Sequence, residues 1–386
     1  MIDQKKSEAK SEQETFLSNI SHEMRTPING ILGMTALLLH QDLPAKHEKY
    51  VRAIYRSTES LLALVNDLID VSSLERNAMK IEKVSCSLYE ILQEVTLLLS
   101  TSAWEKGIDI YLYCPPTIPS RIHADPIRLK TILMTLVENA IEFTKKGEVI
   151  LGIIPETLEF FVSDTGIGIK QEVQGRIFEK FALGDSSTKR AHSGAGLGLS
   201  IARTLIERMG GKIGFKSREG KGSLFYFTIP FEVLPTPPLL SDEARASFKG
   251  KRVLIISPSK VKNFIFSTSL RGAGLTPVNT FEMDEGLHQL QKNRLSSSTF
   301  DAIIFCLDEK KNASWFDDVL KIEQEAKLHG AQIIFNGWLK WWSEQVVDEK
   351  AIPGHFLAKP TLPAELYKLL TDLLVSHKVR NDERTL

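Results

Sequence analysis

Cysteine is scarce in this chain. Three in 386 residues, Cys86, Cys114 and Cys306, lie far apart without metal-ligand spacing. That excludes a disulfide framework and a thiolate metal site, and suits a reducing compartment with the three as structural thiols. Long apolar runs are missing too. Nothing approaches the roughly 20 residues that span a bilayer, and the start MIDQKKSEAKSEQ is too polar for a signal peptide. The expectation is a cytoplasmic chain with no direct membrane insertion. Charge of one sign is absent as well: 48 Lys and Arg balance 48 Asp and Glu, so no overall field draws the chain to nucleic acid or an anionic surface. No internal repeat is present.

What is there is an ordinary globular composition, 42% hydrophobic and 25% charged, over a length that at roughly 100 to 200 residues per domain calls for two or three domains. After a polar lead-in, 1–14, residues 15–76 form two helical stretches parted by a polar break at His40 to Lys46, where Asp42 and Pro44 mark a turn. In the second stretch Val51, Ile54, Thr58, Leu61, Val65, Leu68 and Ser72 alternate three- and four-residue steps, the seam of a coiled coil or four-helix packing. One hairpin cannot cover such a seam, which predicts a homodimer with a four-helix bundle. Residues 80–232 mix helices with strand-like runs, Glu148 to Ile154, Leu158 to Ser163 and Ser223 to Ile229, as in an α+β domain. The interval 233–248, with Pro235, Pro237 and Pro238, reads as a stiff linker. From 249 to 378 the apolar strands Val253 to Ile256, Ala302 to Cys306, Gln332 to Phe335 and His355 to Leu357 alternate with helices, the pattern of a doubly wound parallel sheet; 379–386 is a tail.

On the first helix, at about 100° per residue, Leu17, Ile20, Met24, Ile28 and Ile31 share a face and His22 points nearly opposite, so His22 is exposed. Its segment, FLSNISHEMRTPINGILGM, resembles the phosphoacceptor box of two-component histidine kinases nearly letter for letter. The resemblance implies that His22 takes the phosphoryl group. A neutral imidazole is nucleophilic near pH 7, and Glu23 stands to fix its tautomer and accept its proton. Thr26, one turn on, matches the position that helps place a water for response-regulator phosphatase action.

Four segments after residue 125 resemble, in order, the boxes of the kinase ATPase domain, the Bergerat-type fold shared with gyrase, Hsp90 and MutL. Asn139 matches the asparagine that holds magnesium beside ATP. Asp164, followed by Gly166 and Gly168, matches the aspartate that accepts the adenine amino group, with glycines allowing close approach. Ile177 to Phe181 matches the phenylalanine box, which packs rather than binds. Gly194, Gly196, Leu197, Gly198 and Leu199 open a helix whose free N–H groups can face the triphosphate. Between the last two boxes, Arg190 lies in a polar stretch resembling the ATP lid. Two departures stand out: Thr135 and Glu142 occupy positions where the family carries an asparagine and a phosphate-contacting lysine. A carboxylate beside a triphosphate predicts weakened ATP affinity or turnover unless magnesium, Lys145 or Lys146 compensates.

Residues 250 to 378 resemble the receiver domain of response regulators, down to the ending Phe356-Leu-Ala-Lys-Pro with Lys359. The acidic pocket is replaced: Ser257 and Pro258 follow the first strand, Cys306 stands at the acceptor position, and Asp308 lies beyond the strand end. Magnesium needs hard oxygen ligands, so this is expected to be a pseudoreceiver, with Trp338, Trp341 and Trp342 in its core or on a docking surface.

The resemblance as a whole implies a histidine autokinase that uses ATP and Mg2+. It would pass phosphate from His22 to a response regulator receiver domain in trans or to a histidine phosphotransfer protein. An upstream sensor protein is one source of its input, and the pseudoreceiver would regulate it by docking on the hairpin or the nucleotide domain. The competing reading is a dimeric phosphotransfer adaptor with a scaffold-like nucleotide domain, supported by Thr135 and Glu142. A non-kinase ATPase of the same fold leaves the His22 segment unexplained.

Overall fold

The computed structural model describes residues 24, 26–41, 43–75, 80–180, 196–295, 298–307, 315–338 and 354–375. The chain divides into two compact units, 1–82 with 169–213, and 83–168 with 214–386. None of its described helices is long and apolar enough to cross a membrane.

The first unit is helical. Residues 26–39 form α1 and Ala45–Glu75 form α2, separated at the polar break, where the Pro44 carbonyl accepts the N–H groups of His47 and Glu48. Ile28 and Val65 are buried, whereas Met24, Ile31, Ile54 and Leu61, all from the expected apolar faces, remain exposed. Gln171–Gln174 form α5, and Gly198–Arg208 form α6, which packs on α2.

In the second unit, residues 83–168 and 214–234 build a two-layer sandwich. Its strands are β1 (Val84–Ser87), β2 (Ile108–Tyr113), β3 (Arg121–Ala124), β4 (Gly147–Ile154), β5 (Glu159–Asp164), β6 (Lys212–Arg218), β7 (Gly222–Thr228) and β8 (Glu232–Leu234). The main sheet runs β2-β4-β5-β7-β6, with β2 and β4 parallel, and a small sheet runs β1-β3-β8. Two helices cover the main sheet, α3 (Leu88–Glu105) and α4 (Pro126–Phe143). Both start on a capping side chain: Ser87 accepts from Glu90 N–H, and Asp125 from Arg128 N–H ahead of Pro126 at the first turn. Burial on β5 alternates strictly, sending Phe160, Val162 and Asp164 inward. Phe160 stacks on Phe227 of β7 at 4.9 Å, both fully buried; truncating either to alanine costs about 3–5 kcal/mol.

The C-terminal half of this unit is a parallel sheet in the order β10-β9-β11-β12-β13. The strands are β9 (Arg252–Ile256), β10 (Thr276–Thr280), β11 (Ala302–Cys306), β12 (Gln332–Gly337) and β13 (His355–Ala358). Its helices are α7 (Asp242–Phe248), α8 (Lys260–Gly272), α9 (Met283–Leu295), α10 (Trp315–His329) and α11 (Pro363–Leu374). Val253, Ile255 and Ile304 join one core with Phe248, Leu270 and Tyr367, while Leu254, Ile256 and Ile303 join another with Leu290, Phe300 and Ile322. Both faces of the sheet are covered, as parallel strands require.

The interval 233–248 is not the plain linker its prolines suggest. Its start belongs to β8, which pairs with β3, and its end is α7, capped by Ser241 and inserting Phe248 into the C-terminal core. Pairing and burial at both ends confine extended chain to the segment between them.

Candidate functional site

The alternation of β5 places Asp164 inside at the strand's last residue, 8% exposed. Its Oδ1 accepts the N–H of Gly166 at 2.8 Å and that of Ser223 at 3.2 Å. Burial pushes the carboxyl above the ordinary range, and the Gly166 and Ser223 hydrogen bonds resist that rise. The following loop is held from three directions. Thr165 N–H donates to the Glu148 carbonyl and Thr165 Oγ1 accepts Glu148 N–H at 2.9 Å, Ile167 N–H donates to the Phe143 carbonyl at 3.1 Å, and Gly220 N–H donates to the Ile167 carbonyl at 2.7 Å. Gly168 has φ +67°, and a Cβ there would lie 2.1 Å from the Arg218 carbonyl oxygen, so no side chain fits.

Beside Asp164 lies an open, shallow surface whose lining includes Lys216, Ser217, Arg218, Lys221 and Ser223. Three cations around one carboxylate favour a ligand that is anionic and also presents a hydrogen-bond donor.

Through the Phe143–Ile167 bond the same loop is tied to the end of α4, which carries Thr135, Asn139 and Glu142, all half-buried. Thr135 Oγ1 turns back to the Thr131 carbonyl at 2.9 Å. Lys145 and Lys146 are exposed after the helix. Lys106 Nζ donates to the Ile141 carbonyl at 3.1 Å, a cation at the negative end of α4. Among the described residues no cluster of three or more His, Cys, Asp or Glu could hold a metal. Asn139 offers one amide oxygen, which suits magnesium already held by phosphate oxygens and water better than it suits a protein cage.

Asn139, Asp164, Gly166 and Gly168 therefore share one unit. Gly196, Leu197, Gly198 and Leu199 belong to the other. There Leu197 is buried, so it can offer only backbone, and α6 begins with no side-chain cap on its first N–H groups. Thr26 is exposed on α1. His22, Glu23, Arg190 and Gly194 lie outside the described residues, as do Asp308, Trp341 and Trp342. Two contributors escaped the sequence reading. Ser223 touches the Asp164 carboxylate yet reads as one more hydroxyl in a glycine turn, and Lys106 reads as a solvated helix-end charge.

Residues 12–77 match the family described as His Kinase A (phospho-acceptor) domain, and residues 124–233 match Histidine kinase-, DNA gyrase B-, and HSP90-like ATPase. The chain is 37% identical over 251 residues to the signal transduction histidine-protein kinase BarA of Escherichia coli K12, covering 63% of this chain and 27% of that protein. It is 34% identical over 403 residues to the sensor histidine kinase GacS of Pseudomonas protegens, covering 98% of this chain and 42% of that protein. It thus spans less than half the length of either relative. The crystal structure of full-length ShkA in complex with AMPPNP is 28% identical, with a TM-score of 0.70 over 93% of this chain and 72% of that one.

Proposed function

Because the chain belongs to the histidine kinases of two-component signalling, we propose that it transfers the γ-phosphoryl group of ATP to His22 and then to an aspartate of a separate response regulator. The observation that carries the reading is Asp164, a buried strand-end carboxylate whose Oδ1 is engaged by two backbone N–H groups. That oriented carboxylate presents an acceptor suited to the adenine amino group. The Gly166 and Gly168 turn lets the base approach, and the uncapped start of α6 with Gly196, Gly198 and Leu199 supplies N–H donors for phosphate. Arg190 and Gly194 are assigned to the phosphates by resemblance of their sequence to the family's lid and glycine box.

A ring nitrogen of His22 forms the new N–P bond as the bond from phosphorus to the ADP oxygen breaks, and Glu23 takes the ring proton. Asn139 would hold magnesium, which when bound offsets phosphate charge. Thr26 positions water for phosphatase action, in which that water attacks the regulator's aspartyl phosphate, the bond from phosphorus to the aspartate oxygen breaks and inorganic phosphate leaves. The exposed Ile31, Ile54 and Leu61 suit burial against a second copy, so the working form is a homodimer. The C-terminal half is read as receiver-like. Cys306, buried at the end of β11, and Ser257, buried after β9, supply neither the carboxylate nor the hard ligands that phosphoryl acceptance needs. This half regulates the kinase.

The test is incubation with radiolabelled ATP and magnesium beside a His22→Gln variant, scoring acid-labile, base-stable label. Label that vanishes with His22 is expected. No label from a folded dimer favours the adaptor reading, to which half-buried Glu142 lends support. Glu142→Lys then locates the cause: label regained marks Glu142 as the change that silences the nucleotide half, and label still absent places the loss elsewhere, the native chain acting as the adaptor in either case.

A further inference from the structure

A doubly wound sheet takes ligands in the crevice outside the carboxyl ends of its strands, where the strand order reverses. Here that point lies between β9 and β11. Ser257 and Ser259 follow β9, Lys262 stands in the first turn of α8, Cys306 closes β11 and Lys359 follows β13. Lys262 is 6% exposed and the Lys359 side chain 8%. An ammonium group so far from water needs an anion, and burial, with Lys359 alongside, pushes the Lys262 amine below the ordinary lysine range.

The anions come from the nucleotide half. Lys359 Nζ lies 3.1 Å from Asp109 Oδ1 on β2, and Ser259 Oγ donates to Glu148 Oε1 on β4 at 3.0 Å. Lys262 adds a second positive field on both carboxylates. Around this centre the fit is dense. Ala364 N–H donates to the Tyr89 hydroxyl at 3.2 Å, Tyr113 stacks on Phe264 at 5.8 Å, and Trp104 meets Trp338 at 6.3 Å. The gap beside Tyr111 and Lys262 is about 20 Å³, room for about one water. β2 is the outer strand of its sheet, an edge that needs cover, yet Ile110, Tyr111 and Leu112 are all buried.

We propose that the carboxyl-end crevice of the C-terminal sheet is a docking socket for the β2–β4 edge of the nucleotide half. Lys359 grips the Asp109 carboxylate there, with Lys262 buried beside it, and Ser259 grips that of Glu148, in the place of a small ligand or a phosphoryl group. The partner this surface fits is a carboxylate-bearing sheet edge of the same chain, and an occupied socket shuts out a phosphorylated partner from that face. The comparison with phosphoryl acceptance rests on the receiver-like reading above; the socket itself rests on charge, burial and distance.

The test is amide hydrogen exchange on the full chain for Asp109→Lys, Lys359→Asp and the double exchange of charges. Each single reversal is expected to speed exchange of the β2 amides about tenfold or more, with α3 and α4 core amides unchanged, and the double variant to return β2 to wild-type protection. Unchanged β2 exchange in either single variant overturns the proposal, as does a double variant no better protected than the singles. Where a reversal also loosens α3 and α4, Asp109→Asn and Lys359→Met decide by the same readout, faster β2 exchange supporting the socket and unchanged exchange overturning it. No phosphoryl chemistry enters the measurement, so its failure leaves the autokinase reading intact.

Discussion

The carboxylate of Asp164 organises its own loop by accepting the N–H of Gly166, two residues on, at 2.8 Å. An Asp164→Asn side chain of the same shape can keep that bond only by turning its amide oxygen to Gly166. Its NH2 then faces outward, where the adenine amino group also brings a donor. The expected loss is about 2–3 kcal/mol of nucleotide affinity, roughly 30- to 150-fold, with the unfolding midpoint little changed. Titration calorimetry with a non-hydrolysable ATP analogue checks it, and affinity within about threefold of wild type would remove Asp164 from the base site.

Gly168→Ala separates conformational from steric cost. Gly168 and Gly220 both have positive φ, +67° and +73°, yet a Cβ at 168 meets the Arg218 carbonyl at 2.1 Å, whereas a Cβ at 220 meets nothing within 4 Å. Gly220→Ala should lose only the left-handed backbone penalty, about 1–2 kcal/mol. Gly168→Ala must also push the β6–β7 turn away, so it should lose more and weaken nucleotide binding as well. Equal thermal shifts in the two variants would mean the turn yields freely.

Glu148 and Asp109 give the docked interface opposite pH signs. Burial raises the Glu148 carboxyl, with a further push from Asp109, against the hydrogen bond from Ser259 and the pull of Lys262 and Lys359. Burial also pushes Asp109 up, but Lys359 and Lys262 outweigh it and hold it below the usual range. A raised carboxyl contributes stability below its unfolded pKa of about 4.3 and loses it as pH rises through the folded value. A depressed one contributes above about 3.9 and loses it as pH falls through its lower folded value.

Glu148 Oε2 is, besides, buried without a hydrogen-bond partner among the described residues. Glu148→Gln keeps the acceptor for Ser259 and removes the loss on the neutral side. Its unfolding midpoint at pH 7 should rise by a few degrees, with a flatter profile as pH rises above about 4.3. A profile of unchanged slope would place the titration elsewhere.

Much of this arrangement is visible in the amino-acid order, for identifiable reasons. β4, β5 and β7 are legible because one face packs on helices and alternation follows, and β9, β11 and β12 because burial on both faces makes them continuous apolar runs. β10, Thr-Pro-Val-Asn-Thr, carries neither mark. It is an outer strand, where proline and polar residues are tolerated because no second neighbour needs its N–H groups. Asp164 is legible because glycines two and four residues on advertise a turn after a strand. Ser223 is not, since its role lies in reaching a residue 59 positions away. Lys359 is legible as the lysine of a receiver-like ending, but its partner Asp109 lies 250 positions earlier, and no periodicity connects charges across that distance.

Glu148 sits at a junction of two structural tasks. Its backbone N–H and carbonyl hold Thr165, the residue after Asp164, while its carboxylate accepts from Ser259 of the C-terminal half. Free-energy linkage then works in both directions. By whatever factor docking at Ser259 alters the affinity of the Asp164 loop for nucleotide, nucleotide alters the docking equilibrium by the same factor. On the proposed function, the nucleotide bound at Asp164 becomes an effector of the chain's own C-terminal half, and the ratio of ATP to ADP becomes something the docking equilibrium can read.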